Sequence, residues 1–180
     1  NHKISLLKRE LAGLPVEIDH QDALQLALKD LWGEKKGYLV GNLPYYITSP
    51  LLMHFLEQPD YLSGMTIMVQ KEVADRIVAP PGSKAYGILS IAVQISAKVT
   101  KIREVSPEDF WPAPKVKSAV IRLDLRPYPE LEVSKKDFFR VVKAAFSQRR
   151  KTLGNSLTGG LSLKKEEVIK ALQTAVILES

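Results

Sequence analysis

The chain has 180 residues, 45% of them hydrophobic, which suits one α/β domain with its own core plus a small appendage and excludes a disordered chain. Lys and Arg total 26 against 20 Asp and Glu, a formal net charge of +6 and a sequence pI of about 9.4, so an anionic partner such as RNA, DNA or a ribosomal surface is favoured. The absence of cysteine excludes disulfides, thiolate catalysis and Cys-based zinc or iron–sulfur sites, and makes the cytoplasm the expected compartment; no apolar stretch approaches the roughly 20 residues of a membrane span.

The spacing of Ile4, Leu7 and Leu11 predicts an amphipathic helix from His2 to Leu14, stopped at Gly13. A strand is expected at Val16 to His20, then a short helical or irregular piece from Asp22 through Trp32. The Gly33 to Gly37 break introduces an apolar strand from Gly37 to Gly41. Ser49 and Pro50 look like the N-cap and first residue of a helix running to Leu56.

Gly64 to Gln70 reads as a buried strand and Lys71 to Val78 as a helix, and this alternation describes a parallel sheet with covering helices. Tyr86 to Ile95 has helical spacing, whereas Ala97 to Val105 and Ala119 to Leu125 alternate as strands and suggest an antiparallel pair at the sheet edge. Beyond Pro129 the pattern is helical: Lys135 to Phe146, Arg150 to Leu157 and Lys164 to Leu172. The expected division is therefore an α/β domain over residues 1–128 and a small all-helical domain over 129–180. No segment of the sequence reads as the glycine-rich turn that opens a nucleotide-binding doubly wound domain, and the chain is expected to enter the fold midway.

Asn42-Leu43-Pro44-Tyr45, at the end of the Gly37 strand, places an amide, a proline carbonyl and an aromatic face together. The amide oxygen and the carbonyl preceding Tyr45 can both accept from an exocyclic amine while the ring stacks on a heterocycle; the same residues are also ordinary turn chemistry. Asp22, at the end of another expected strand, can accept from a cofactor's adenine or cap the following helix. Phe110, on the proline-stiffened loop Phe110 to Val116, suits the opposite side of a flipped base or an aromatic plug on the sheet edge. Arg149, Arg150 and Lys151 suit phosphate oxygens or form a solvated charge run. The histidines fit no metal or triad pattern, and no metal site is expected.

These segments, with Gln21-Asp22-Ala23, Gln70-Lys71-Glu72-Val73, Ser83-Lys84-Ala85-Tyr86-Gly87, Ser118-Ala119-Val120 and Ala145 to Thr152, resemble in order the ribosomal RNA small-subunit adenine dimethyltransferases. The Ser-Lys-Ala-Tyr-Gly and Gln-Arg-Arg-Lys-Thr segments resemble the housekeeping branch more than the erythromycin-resistance cousins. The resemblance implies a Rossmann-like methyltransferase domain dependent on S-adenosylmethionine, represented by the C-terminal part of its sheet, followed by a small helical domain. It implies N6,N6-dimethylation of two adjacent adenines near the 3′ end of small-subunit rRNA, on immature small subunits, by a cytoplasmic monomer.

Carried over residue by residue, the resemblance gives Asp22 the cofactor's adenine and sets Asn42 between cofactor and substrate. Asn42 and Pro44 would grip N6, Tyr45 would stack on the base, and Phe110 would cover its other face. Arg149, Arg150 and Lys151 would contact the rRNA backbone or serve domain packing. The family's glycine-rich loop and acidic ribose-binding residue are expected before Asn1, and a further helix after Ser180, so the chain is expected to be part of a longer protein. The alternatives are a DNA adenine-N6 methyltransferase, whose site has a proline where Leu43 stands, and a non-catalytic rRNA-binding assembly factor on the same scaffold.

Overall fold

The computed structural model describes residues 2–175. Helix α1 spans His2–Glu10, shorter than its apolar spacing predicts, and unwinds into a turn with Gly13 at φ 86°. Residues 16–20 are irregular rather than a strand. No strand of the described residues lies beside them, and an unpaired strand would leave its N–H and C=O groups without a ladder.

A 3₁₀ turn at Ala23–Gln25 and the short helix α2, Leu28–Trp32, lead into strand β1, Gly37–Asn42. The order continues with α3 (Thr48–Leu56), β2 (Leu62–Gln70), α4 (Lys71–Val78), α5 (Ile88–Gln94), β3 (Ala97–Val105) and β4 (Ser118–Leu125). The sheet is four-stranded with order β1-β2-β4-β3; β1 and β2 run parallel, while β4 is antiparallel to both neighbours. The late antiparallel pair is therefore present, but β4 lies inside the sheet and the sheet is mixed rather than parallel throughout.

Register explains which residues make the core. Leu39, Met65, Leu123 and Val99 align in one cross-strand row, in which Met65 and Leu123 are wholly buried. Leu52 and Phe55 of α3, Ala74 and Ile77 of α4 and Val93 of α5 complete this cluster. The alternate row, Val40, Thr66, Arg122 and Thr100, lies on the opposite and more open face, where Val40 is 78% exposed. β1 is the outer strand, with no neighbour on its far side among the described residues.

Helices α6 (Lys135–Ala145), α7 (Leu153–Leu161) and α8 (Lys165–Thr174) form a second cluster around Ala144, Leu157, Val168 and Leu172. α7 begins at Leu153 rather than Arg150, because Thr152 caps it by accepting from Asn155 N at 3.4 Å. No helix among the described residues is long and apolar enough to cross a membrane.

Candidate active site

The carboxyl ends of β1, β2 and β3 and the start of β4 share one end of the sheet. Asn42, Met68 and Val120 form a row there, and Gln70 and Ser118 form the next row on the same face. Asn42 closes β1 with its side chain on the open face, and the following Leu43 turns inward, 7% exposed, with its N–H on the Met68 carbonyl at 3.2 Å. A buried apolar residue thus staples the chain immediately after the exposed amide.

Pro44 starts a 3₁₀ turn, Tyr45–Ile47. Its carbonyl accepts from Ile47 N at 3.2 Å and from the Thr48 hydroxyl at 3.0 Å, so the acceptor read from the sequence is already engaged within the turn. The Leu43 carbonyl receives no hydrogen bond among the described residues. Tyr45 is half-buried and its hydroxyl lies 2.6 Å from Ser118 Oγ, while the neighbouring Tyr46 is 85% exposed. The Ser118 partnership had no sequence signal beyond Ser118's place in the Ser118-Ala119-Val120 segment, just before the expected strand.

Phe110 follows a 3₁₀ turn, Pro107–Asp109, capped by Asp109 Oδ2 on Ser106 N at 3.1 Å. It is half-buried, in extended conformation, on the loop that joins the end of β3 to the start of β4. A cis Trp111–Pro112 bond follows. Val105 and Ser118 pair across the base of this loop, and the Lys117 carbonyl accepts from Lys71 N at 2.9 Å. Phe110 and Tyr45 are thus carried at the same sheet end, without stacking on each other among the described residues.

Asp22 caps the Ala23–Gln25 turn, its Oδ1 accepting from Leu24 N at 3.0 Å, and stays exposed. Its segment is fastened to α3: His54 Nε2 lies 2.8 Å from the Leu26 carbonyl, and Gln58 accepts Leu28 N at 2.7 Å. The capping alternative is realised, and the other carboxylate oxygen makes no hydrogen bond among the described residues. A carboxylate with one free oxygen fits an exocyclic amine of a cofactor ring.

Arg149, Arg150 and Lys151 occupy the turn before α7. Arg149 and Lys151, but not Arg150, line an open cleft of about 960 Å³ between the α4–α5 region and the α6–α7 turn, together with Arg76, Lys84 and the Tyr86 and Phe146 rings. Those rings lie 6.3 Å apart at 58°. None of the four cations Arg76, Lys84, Arg149 and Lys151 makes an ion pair among the described residues, whereas Lys71 on the same wall is bound to Asp75 and Glu104, and Glu72 is the one unpaired carboxylate in the lining. The cleft's free charge is therefore positive. No cluster of His, Asp or Glu among the described residues can hold a metal ion.

A family of known sequences, described as ribosomal RNA adenine dimethylase, matches residues 4–178. The ribosomal RNA small subunit methyltransferase A of Desulfitobacterium hafniense (strain DSM 10664 / DCB-2) is 67% identical over 98% of the chain, and that of Alkaliphilus oremlandii 46% identical over 98%. The chain spans 64% of the length of each of these curated relatives. Among solved structures, a dimethyladenosine transferase from Plasmodium falciparum superposes with TM-score 0.74 at 25% identity, over 98% of this chain and 64% of that one. The 23S rRNA methyltransferase ErmE superposes with TM-score 0.72 at 25% identity, over 98% and 70%. The mixed sheet with its helices is thus the Rossmann-like fold of these methyltransferases, and the chain belongs to the ribosomal RNA adenine dimethylase family.

Proposed function

We propose that the protein is an S-adenosylmethionine-dependent rRNA (adenine-N6,N6)-dimethyltransferase, acting on two adjacent adenines near the 3′ end of small-subunit rRNA during ribosome assembly. The observation that carries this reading is the exposed Asn42 amide at the end of β1, one turn before a Tyr45 ring anchored at Ser118, in a chain of the adenine dimethylase family. The DNA-methylating alternative has less support, since the relatives bear rRNA methyltransferase names.

In this proposal Asp22 and Asn42 would hold the cofactor, which when bound would supply an electrophilic methyl group by cleavage of its S–CH3 bond, leaving a neutral thioether. Asn42 Oδ1 and the Pro44 carbonyl accept the N–H groups of the adenine amine, two before the first transfer and one before the second, and favour a pyramidal nitrogen whose lone pair points outward, an effect of orientation and electrostatics. Pro44 takes this part by sharing or exchanging the Thr48 bond. Tyr45 stacks on one face of the extruded base and Phe110 covers the other; stacking of about 1–3 kcal/mol per base offsets part of the cost of extrusion. No side-chain base is required, because the proton is released after the N–C bond forms.

The same proposal divides the chain into a methyltransferase domain, 1–128, and a helical domain, 129–180, in keeping with the two separate apolar clusters. Arg149, Arg150 and Lys151 contact the rRNA backbone, the substrate is the immature small subunit, and the working form is a cytoplasmic monomer. The test is methyl transfer from labelled cofactor to immature small subunits by protein extended to its relatives' full length, with mapping of the modified bases. Dimethylated adjacent adenines, lost in Asn42→Ala and Tyr45→Ala, are expected. Label on DNA, RNA binding with no transfer, or unchanged transfer in those variants would overturn the reading.

A further inference from the structure

We propose that Ser118 is a positioning residue: its hydroxyl sets the Tyr45 ring, and the strand it opens sets the loop that presents Phe110. The inference rests on the adenine-site reading above and deepens it. Ser118 Oγ and Tyr45 Oη are 2.6 Å apart across 73 positions of sequence. Ser118 is wholly buried, and this is its only side-chain hydrogen bond among the described residues. A buried hydroxyl left unbonded is unfavourable, so rotation of the Tyr45 ring away from Ser118 is penalised at both ends.

The anchor itself is paired on both sides. Ser118 pairs with Gln70 of β2 on one side and Val105 of β3 on the other, and the carbonyl just before it accepts from Lys71 N at 2.9 Å. Tyr45 sits beyond β1, two strands from β4, so the hydrogen bond spans β2 and ties the turn to the interior of the sheet. Tyr45 remains half-exposed, which leaves ring surface for a ligand.

Ser118 also ends the loop on which Phe110 stands, and its pairing with Val105 closes the base of that loop. One residue therefore governs both aromatic groups, one through its side chain and one through its backbone. A base held between them needs both rings set in advance, and misplacement by about 1 Å can cost roughly 100-fold in rate.

The test compares Ser118→Ala, Tyr45→Phe and the double variant in protein extended to its relatives' full length. The readouts are kcat and KM for methyl transfer, and the fluorescence quench of 2-aminopurine placed at the target position of an RNA substrate. We expect each single variant to lose roughly 10- to 100-fold in kcat, with KM for the cofactor held and the quench weakened, and the double variant to be no worse than either single. Multiplying effects, or a folded Ser118→Ala protein with parental kcat and quench, would overturn the inference. Should Ser118→Ala fail to fold, Tyr45→Phe breaks the same bond without a core cavity, and parental kcat there overturns it equally. Parental transfer by Tyr45→Ala would overturn the adenine-site reading itself, whereas loss in Tyr45→Ala with Tyr45→Phe unaffected removes only the role of Ser118.

Discussion

Lys101 of β3 donates to the Asp75 carboxylate of α4 at 2.9 Å, and Lys71 reaches the other oxygen of that carboxylate at 2.5 Å. Glu104 lies 3.3 Å from both lysines and closes a ring of alternating charge that fastens α4 to β3. The hydrogen bond from Lys71 and then that from Lys101 hold Asp75 below the ordinary carboxylate range, and Lys71 does the same to Glu104. Asp75 in turn raises both lysines.

The sign follows from these directions. The depressed carboxylates contribute stability that is present above their unfolded pKa of about 4 and is lost as pH falls through the lower folded values. The raised lysines contribute stability that is complete below about 10.4 and is lost as pH rises through their folded values. Asp75→Asn should therefore lower the melting temperature near neutral pH and make little difference in strong acid. The side chains are about one-third exposed, so the effect should be modest and should shrink in high salt. Thermal melts across pH at low and high salt check this.

Thr48 is 2% exposed and donates its hydroxyl to the Pro44 carbonyl at 3.0 Å. Thr48→Val should cost about 1 kcal/mol in chemical denaturation, whereas Thr48→Ser, which keeps the donor, should recover most of it. Equal losses in both variants would place the effect in packing rather than in the hydrogen bond.

Tyr128, in the segment between β4 and α6, has a buried hydroxyl with no partner among the described residues, and Lys135 Nζ sits 5.2 Å from its ring centre. Tyr128→Phe keeps the ring and the cation contact while removing the unpaired group, so stability should rise, by up to about 1 kcal/mol. Burial raises the phenol's pKa by penalising its ionised form, so stability falls as pH rises above about 10, where the unfolded chain ionises and the folded one resists. The variant should lack that part of the alkaline decline, as parallel denaturation curves would show.

Gly160 of α7 faces Ala144 of α6 so closely that an added Cβ would lie 2.7 Å from the Ala144 Cα. Backbone cannot yield as a side-chain tip can, and overpacking of about 1–3 kcal/mol should exceed the roughly 1 kcal/mol gained in helix propensity. Gly160→Ala should therefore lower the denaturation midpoint. A rise instead would mean that the two helices separate freely.

Replacing Arg149, Arg150 and Lys151 together by alanine should weaken RNA binding and flatten its salt dependence. Each lost phosphate contact should reduce the slope of log affinity against log salt by about 0.7 for a single strand. Affinity measured over a salt series distinguishes this from a packing role, in which affinity would fall with an unchanged slope.

Much of this arrangement is legible in the chain because the signals are local. Alternation marks β3 over Ala97–Val105, the residues observed, and the apolar run ending at Asn42 places the amide at a strand terminus. Asp22 carried both of its readings openly, and its cap is visible as a short polar residue before Ala23. What the chain conceals is non-local. Nothing near residue 118 announces that β4 inserts between β2 and β3, and nothing near residue 45 announces a partner 73 positions away. Residues 16–20 alternate like a strand, but strand formation depends on a neighbour, and alternation cannot supply one.

Among the described residues β1 is hydrogen-bonded to β2 alone, and Val40 stands 78% exposed midway along it, on the open face of the sheet. A strand border of this kind, with no proline between Tyr38 and Asn42 to interrupt it, offers unpaired backbone groups to another strand. Residues 1–180 on their own should accordingly be monomeric when dilute and associate reversibly as concentration rises. Val40→Lys should shift that onset upward in sedimentation experiments, making position 40 a practical handle on how the protein behaves in the tube.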